Sequence, residues 1–374
     1  MKVSFLDKEF DKSIKDEIFF KLDQVFDRQK WILSENVMEF EKELATYMRV
    51  PYAVGVASGT DAIILSLLSS GITRGDKVIT TSFCHNAIIN GIVNVGAIPV
   101  LVDIEPQTFG MDPADTLLTC RRNKGIKAIL VAHLYGHCAK MTDLLSVAKK
   151  ANLFVVDNAV QALGAEYEGK EAGTMGDIGV LSFSPSKTLS AMGDAGMVVT
   201  KNEELYKICD SLRRHGQSSK KYYHDRIGIN SRLDEIQAAV LRVKLKYYEH
   251  LIAKRIQNAV DYNILFNEAK LLDEVSLPTS MSNCRHIYSH YVIRVKERDS
   301  LRRFLSEEGI ETFTPYPIPI HKQECMKSFG YGPFPIAEMV AREVLSIPVH
   351  TSLTWSEQEY VVLKIKEFYD RRSK

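Results

Sequence analysis

Between residues 77 and 200 the chain alternates short β-branched runs with helical stripes, and this alternation narrows the possible folds more than any other feature. The runs are KVIT (77–80), IPVLV (98–102), KAILV (127–131), LFVV (153–156), IGVLSF (178–183) and MVVT (197–200), with helical patterns between several of them, as at 61–69 and 141–150. Such β–α units with nearly continuous apolar strands predict an α/β fold, a mostly parallel sheet covered by helices on both faces. The last two runs are joined by a loop with no obvious helix, so one strand there is expected to run antiparallel.

The flanks carry helices. Ile18, Phe19, Leu22, Val25 and Phe26 mark one apolar helical face, and Val37, Phe40, Leu44 and Tyr47 mark a second. A long helical stretch over 231–267 leads into a different texture. There a β run (288–295), helices opening near Asp299 and Ser356, and the Pro-rich TPYPIPIH (314–321) predict a smaller α+β unit. The expected division is 1–245, a large unit with N-terminal helices, and 246–374.

Charge and cysteines exclude several classes. Lys+Arg 48 against Asp+Glu 47 gives a net charge of +1, with no basic run to serve as a nucleic-acid footprint. The longest apolar stretch, near Ile92 to Val102, is too short to span a bilayer, and MKVSFLDKEFDKS lacks the apolar core of a signal peptide. The six cysteines are scattered without a CxxC pair, which predicts neither a disulfide framework nor a cysteine metal site, and a cytoplasmic setting.

Three blocks carry chemistry. Ala57-Ser58-Gly59-Thr60-Asp61 follows an apolar stretch and opens a helix, so its backbone N–H groups and dipole can cradle a phosphate; the same residues also suit a plain N-cap. Asp157 and Asn158 follow the run at 153–156, where open α/β sheets place ligands. Lys187 lies between two buried strands among small residues, and a desolvated lysine is a nucleophile for a carbonyl. A phosphate turn, a strand-end acid, and a lysine 30 positions later are the layout expected for pyridoxal phosphate.

At this point the sequence resembles the DegT/DnrJ/EryC1/StrS nucleotide-sugar aminotransferases, which have the fold type I aspartate aminotransferase architecture. The resemblance runs through WILSENVMEFEKELA (31–45), HLYGH (133–137), QALGAEYEGKEAGTMGDIG (161–179), SFSPSKTLSAMGDAG (182–196), IGINSRLDEIQAAVLRVKL (227–245), YPIPIH (316–321) and LSIPVH (345–350). It implies a seven-stranded sheet, with Lys187 as the residue that binds the cofactor covalently and moves the proton. It implies that Gly59, Thr60 and Ser182 hold the phosphate, that His85 stacks on the cofactor ring, and that Gln161 lies beside it. Asn230 would reach the neighbouring subunit's cofactor, making a homodimer with shared sites. Lys220, Tyr222, His224, Arg226, Tyr316 and His321 would meet the substrate. No metal is implied.

Three positions depart from the family pattern. The aspartate that pairs with the pyridine nitrogen stands three residues before the glutamine in the family, and here that position is Asn158. One step along a strand reverses a side chain, so either the loop is shifted and Asp157 takes the role, or Asn158 faces the nitrogen without supplying a negative charge. Pro315 stands where the family often has His, and Ser34 where it often has Gly.

The LSAMGDAG stretch after the lysine is similar to enzymes that aminate C3 of a 3-keto-6-deoxyhexose. The resemblance thus implies a thymidine-diphosphate-linked keto sugar as acceptor and L-glutamate as donor. The alternatives are a 4-keto sugar aminotransferase, a sugar dehydratase on the same scaffold (those carry His at the lysine position), and a cofactor- or sugar-binding regulator that has lost transamination.

Overall fold

The computed structural model describes residues 1–7 and 12–372. Helices α1 (Lys12–Arg28) and α2 (Glu35–Tyr47) precede β1 (Tyr52–Val56) and α3 (Gly59–Ser69). There follow β2 (Lys77–Thr81), α4 (Ala87–Asn94), β3 (Ile98–Val102), α5 (Pro113–Arg122), β4 (Ile126–Ala132), α6 (Met141–Ala151) and β5 (Phe154–Asn158). A small hairpin, β6 (Glu166–Tyr167) and β7 (Lys170–Glu171), comes before β8 (Ile178–Ser182) and β9 (Gly196–Thr200). The large sheet has seven strands in the order β1-β9-β8-β5-β4-β2-β3. Strand β9 pairs antiparallel with both β1 and β8, and the other pairings are parallel, as the missing helix between the last two runs predicts.

The pleat sorts the strand residues onto two apolar layers. Ile129, Val131, Val155, Leu181 and Met197 face one layer with Phe40 of α2 and Leu144 of α6. Ala128, Leu130, Val156, Val180 and Val198 face the other with Ile63 of α3 and Ile88 of α4. Both faces are covered, so the strands read as unbroken apolar runs.

Helix α7 (Glu203–Leu212) leads through a loop to α8 (Glu235–Glu268), 34 residues long. The expected boundary at 245/246 falls inside this unbroken helix. Beyond it come β10 (Cys284–Arg285), β11 (Tyr291–Arg294), α9 (Arg298–Glu307), α10 (Pro335–Glu343), β12 (Val344–Ile347) and α11 (Trp355–Asp370). A third apolar cluster joins Tyr262 and Phe266 of α8 to Ile293, Leu345 and Ile365, and takes in Val3. Two helix starts differ from expectation. Helix α9 begins one residue before Asp299, and α11 is capped by Thr354, whose hydroxyl exchanges hydrogen bonds with Glu357 in a capping box that Ser356 has no place in.

Candidate active site

The carboxyl ends of β1, β5 and β8 open onto a cavity of about 430 Å³. Ser58 caps α3 by accepting the Asp61 N–H at 3.1 Å. The Asp61 carboxylate accepts the Ser231 hydroxyl at 2.7 Å, which ties the helix start to the segment before α8. Gly59 and Thr60 stand at the first turn and line the cavity with Ser182. A Cβ on Gly59 would lie 2.6 Å from Ser182 Cβ, so only glycine lets this turn close on the serine. The resulting cradle offers free N–H groups, the dipole's positive end and a hydroxyl to one anion.

Lys187 projects into the cavity from the β8–β9 loop. The loop is braced from inside: Phe183 and Ala195 pair through a 2.8 Å backbone bond, and Ala191 donates to Phe183 at 2.7 Å. The Tyr248 hydroxyl donates to Leu163 O at 2.8 Å and therefore accepts from Thr188 Oγ1 at 2.7 Å. Burial pushes the Lys187 pKa down, the direction that makes an amine available as nucleophile and base.

Asp157 and Asn158 separate cleanly. The pleat sends Asp157 to the layer of Val155, away from the cavity, where it is wholly buried. His133 Nδ1 accepts the Ala139 N–H, so its Nε2 donates to Asp157 Oδ1 at 2.7 Å. The second oxygen accepts Met175 N and Gly176 N. The carboxylate has no free face for a cofactor, which corrects the expectation that Asp157 takes the ring nitrogen through a shifted loop. Asn158 goes the other way and lines the cavity. Its Oδ1 accepts the Val160 N–H at 3.2 Å, and its Nδ2 is buried without a partner.

Gln161 accepts the Tyr135 N–H at 2.9 Å and donates to the Tyr316 hydroxyl at 2.7 Å. Both Gln161 and Tyr316 line the cavity, as do Pro315 and His85. Burial, then the Lys187 charge, pushes the His85 pKa down, and its ring meets Tyr316 edge-on at 6.0 Å.

The other expected site residues lie elsewhere in the chain. Lys220, Tyr222, His224, Arg226 and Asn230 are all exposed on the segment before α8 and line no part of the cavity. His321 is buried against Phe334, with Nε2 at 2.9 Å from Glu338. Sequence reading missed Phe5, Leu6, Arg255, Ser289, His290 and Phe313, which complete the cavity. They are scattered from residue 5 to residue 313, and only tertiary packing unites them. The N-terminal pair is held by Asp7, which accepts Thr351 N at 3.2 Å and Ser352 N at 3.0 Å.

The matching family model is that of the DegT/DnrJ/EryC1/StrS aminotransferases, over residues 12–366. The chain belongs to that family. A "Pleiotropic regulatory protein" of Geobacillus stearothermophilus is 41% identical, with 99% of each chain covered. A dTDP-3-amino-3,6-dideoxy-alpha-D-galactopyranose transaminase of Aneurinibacillus thermoaerophilus is 37% identical, covering 98% of this chain and 99% of the relative. Among solved structures, S. venezuelae DesV in complex with a ketimine intermediate superposes with a TM-score of 0.93 at 34% identity, with 98% of each chain covered. The DegT/DnrJ/EryC1/StrS enzymes are pyridoxal-phosphate-dependent transferases, and so is this one. Its cavity fits the group: the Gly59–Ser182 cradle suits the phosphate, Lys187 the carbonyl, and the unpartnered Asn158 Nδ2 the ring nitrogen.

Proposed function

We propose that this aminotransferase moves the amino group of L-glutamate to C3 of a nucleotide-linked 3-keto-6-deoxyhexose, with thymidine diphosphate as carrier, for deoxyamino sugars of glycosides or of surface polysaccharides such as O-antigen. The observation that carries the reading is Lys187, desolvated at the mouth of β8 beside the Gly59–Ser182 cradle. Relatives named for 3-amino sugar transamination support the position of the amine.

When bound, pyridoxal phosphate supplies an electron sink for the carbon that loses its proton. The chain's residues do the rest. Gly59, Thr60 and Ser182 hold the phosphate, and Gln161 and His85 orient and cover the ring. Lys187 Nζ takes the proton from the donor's Cα, then delivers one to the sugar's C3 and so sets the new stereocentre. Tyr316, on the cavity wall and hydrogen-bonded to Gln161, would meet the substrate.

The reading includes a homodimer with shared sites. Asn230 would reach the partner's phosphate, and Lys220, Tyr222, His224 and Arg226 would approach the substrate diphosphate there. All five are exposed, and neighbouring Ile227 is 97% exposed, an apolar side chain suited to burial by a second copy. In this reading residues 1–245 form the large cofactor-binding unit with its N-terminal helices, and 246–374 the smaller α+β unit. No described helix is long and apolar enough to cross a membrane, which agrees with a cytoplasmic setting.

Asn158 favours a second reading, a regulator that binds cofactor or sugar with impaired transamination, and a pleiotropic regulatory protein stands among the relatives. The absorbance spectrum of the loaded protein, before and after L-glutamate, separates the two. Conversion of the carbonyl form to the amine form supports transamination; a bound cofactor indifferent to every amino acid supports the regulator.

A further inference from the structure

The cavity wall contains a positive charge that none of these roles uses. Arg255 of α8 lines the cavity beside Ser289, His290 and Val349. A guanidinium has five N–H donors, and this one makes a single weak contact, Nη1 to the Val349 carbonyl at 3.4 Å. Among the described residues it forms no ion pair. Asp7, whose charge it feels, is already committed to His350, Thr351 and Ser352.

Two uncharged groups beside it are also unsatisfied. Ser289 Oγ and His290 Nδ1 are buried without partners. His290 has its pKa pushed down to about 3, by burial first and then by Lys187 and Arg255, so the ring is neutral and lies within reach of both charges.

An enclosed cation with no ion-pair partner among the described residues, and with Asp7 acting on it only through space, is poorly compensated, and a bound anion relieves it. The planar guanidinium fork matches a carboxylate through two parallel hydrogen bonds. The cofactor's phosphate has its own cradle at Gly59 and Ser182, and a sugar diphosphate stands away from the reacting carbon. An amino acid donor, by contrast, must hold its carboxyl group close to Lys187 while its Cα–H is broken.

We propose that Arg255, with Ser289 and His290, is the carboxylate subsite for the amino donor, and that it selects amino acids over simple amines. This rests on the transaminase reading. The test uses the loaded enzyme and its Arg255→Gln and Arg255→Lys variants. It follows the donor half-reaction against L-glutamate concentration, the KM for the keto sugar, and equilibrium binding of glutarate, a dicarboxylate with no amino group to transfer.

Arg255→Gln should raise the half-saturating glutamate concentration by about 30-fold or more and abolish glutarate binding, with the sugar KM within about twofold of the parent. Arg255→Lys retains charge and bulk but not the fork, and should weaken glutamate by about tenfold, which guards against misfolding of the first variant. Undiminished glutarate binding in Arg255→Gln overturns the proposal. So does a rise in sugar KM with glutamate unaffected, which would assign the anion to a uronic acid acceptor. A parent enzyme that binds glutarate through Arg255 yet ignores glutamate would keep the subsite and defeat the transaminase reading.

Discussion

Val160 donates its backbone N–H to Asn158 Oδ1, and that bond decides which end of the amide meets the cavity. The oxygen is committed, so Nδ2, buried and without a partner on the cavity wall, is the end left to meet the ring nitrogen of a bound cofactor. A donor there pairs with a nitrogen lone pair, whereas a carboxylate would hold a proton on the ring and strengthen its pull on electrons. Asn158→Asp should therefore speed the glutamate half-reaction about tenfold, equivalent to roughly 1.4 kcal/mol of barrier. Stopped-flow absorbance reads it, and an unchanged rate would remove residue 158 from the ring nitrogen.

Among the described residues that line the cavity, Lys187 is the one lysine. His85 and His290 both have depressed pKa values, and neither can bind a carbonyl covalently as an amine does. Lys187→Ala should lower turnover by about 10³-fold or more. The phosphate cradle is untouched, so cofactor should still be retained on gel filtration. A variant with near-parental turnover would refute the assignment.

Asp157 should matter to stability instead of chemistry. Removing its carboxylate strands the His133 Nε2–H and the N–H groups of Met175 and Gly176 in the interior. Asp157→Ala should destabilise the protein by about 2–4 kcal/mol, measured by denaturant unfolding at matched protein concentration. Little loss would show that the buried pair is dispensable.

Glu166 and Glu171 oppose each other across the β6–β7 hairpin. Burial, reinforced by Glu166, pushes the Glu171 pKa up from 4.5 to about 7. Because the folded value is the higher, this group's contribution is fully present below about pH 4.5 and is lost as pH rises through about 7. Glu171→Gln should remove that decline and gain about 2 kcal/mol at pH 8. Melting temperatures across pH 4–8 test it, and parallel profiles for the two proteins would contradict it.

The sheet was legible because strands covered on both faces leave no polar gaps, so each β run stands out as apolar sequence. The pleat also dictated that Asp157 and Asn158 face opposite ways. It could not say which faced the cavity, since that depends on the packing of α2 and α6 against one layer and α3 and α4 against the other. Arg255 was hidden for a related reason. In sequence it sits in a charged stretch (AKRIQN) that reads as a solvated helix face, and only the approach of Val349 and His290 encloses it. Thr354 displaced Ser356 as a cap because its partner, Glu357, lies at the reciprocal spacing.

The clasp between Asp7 and His350 spans 343 positions. Phe5 and Leu6 line the cavity next to that clasp, so their wall is complete only once the chain has been made through residue 350. Contacts of such sequence separation form late in folding. A growing or prematurely stopped chain could thus lay down most of its sheet and present Lys187 without the wall that Phe5 and Leu6 provide.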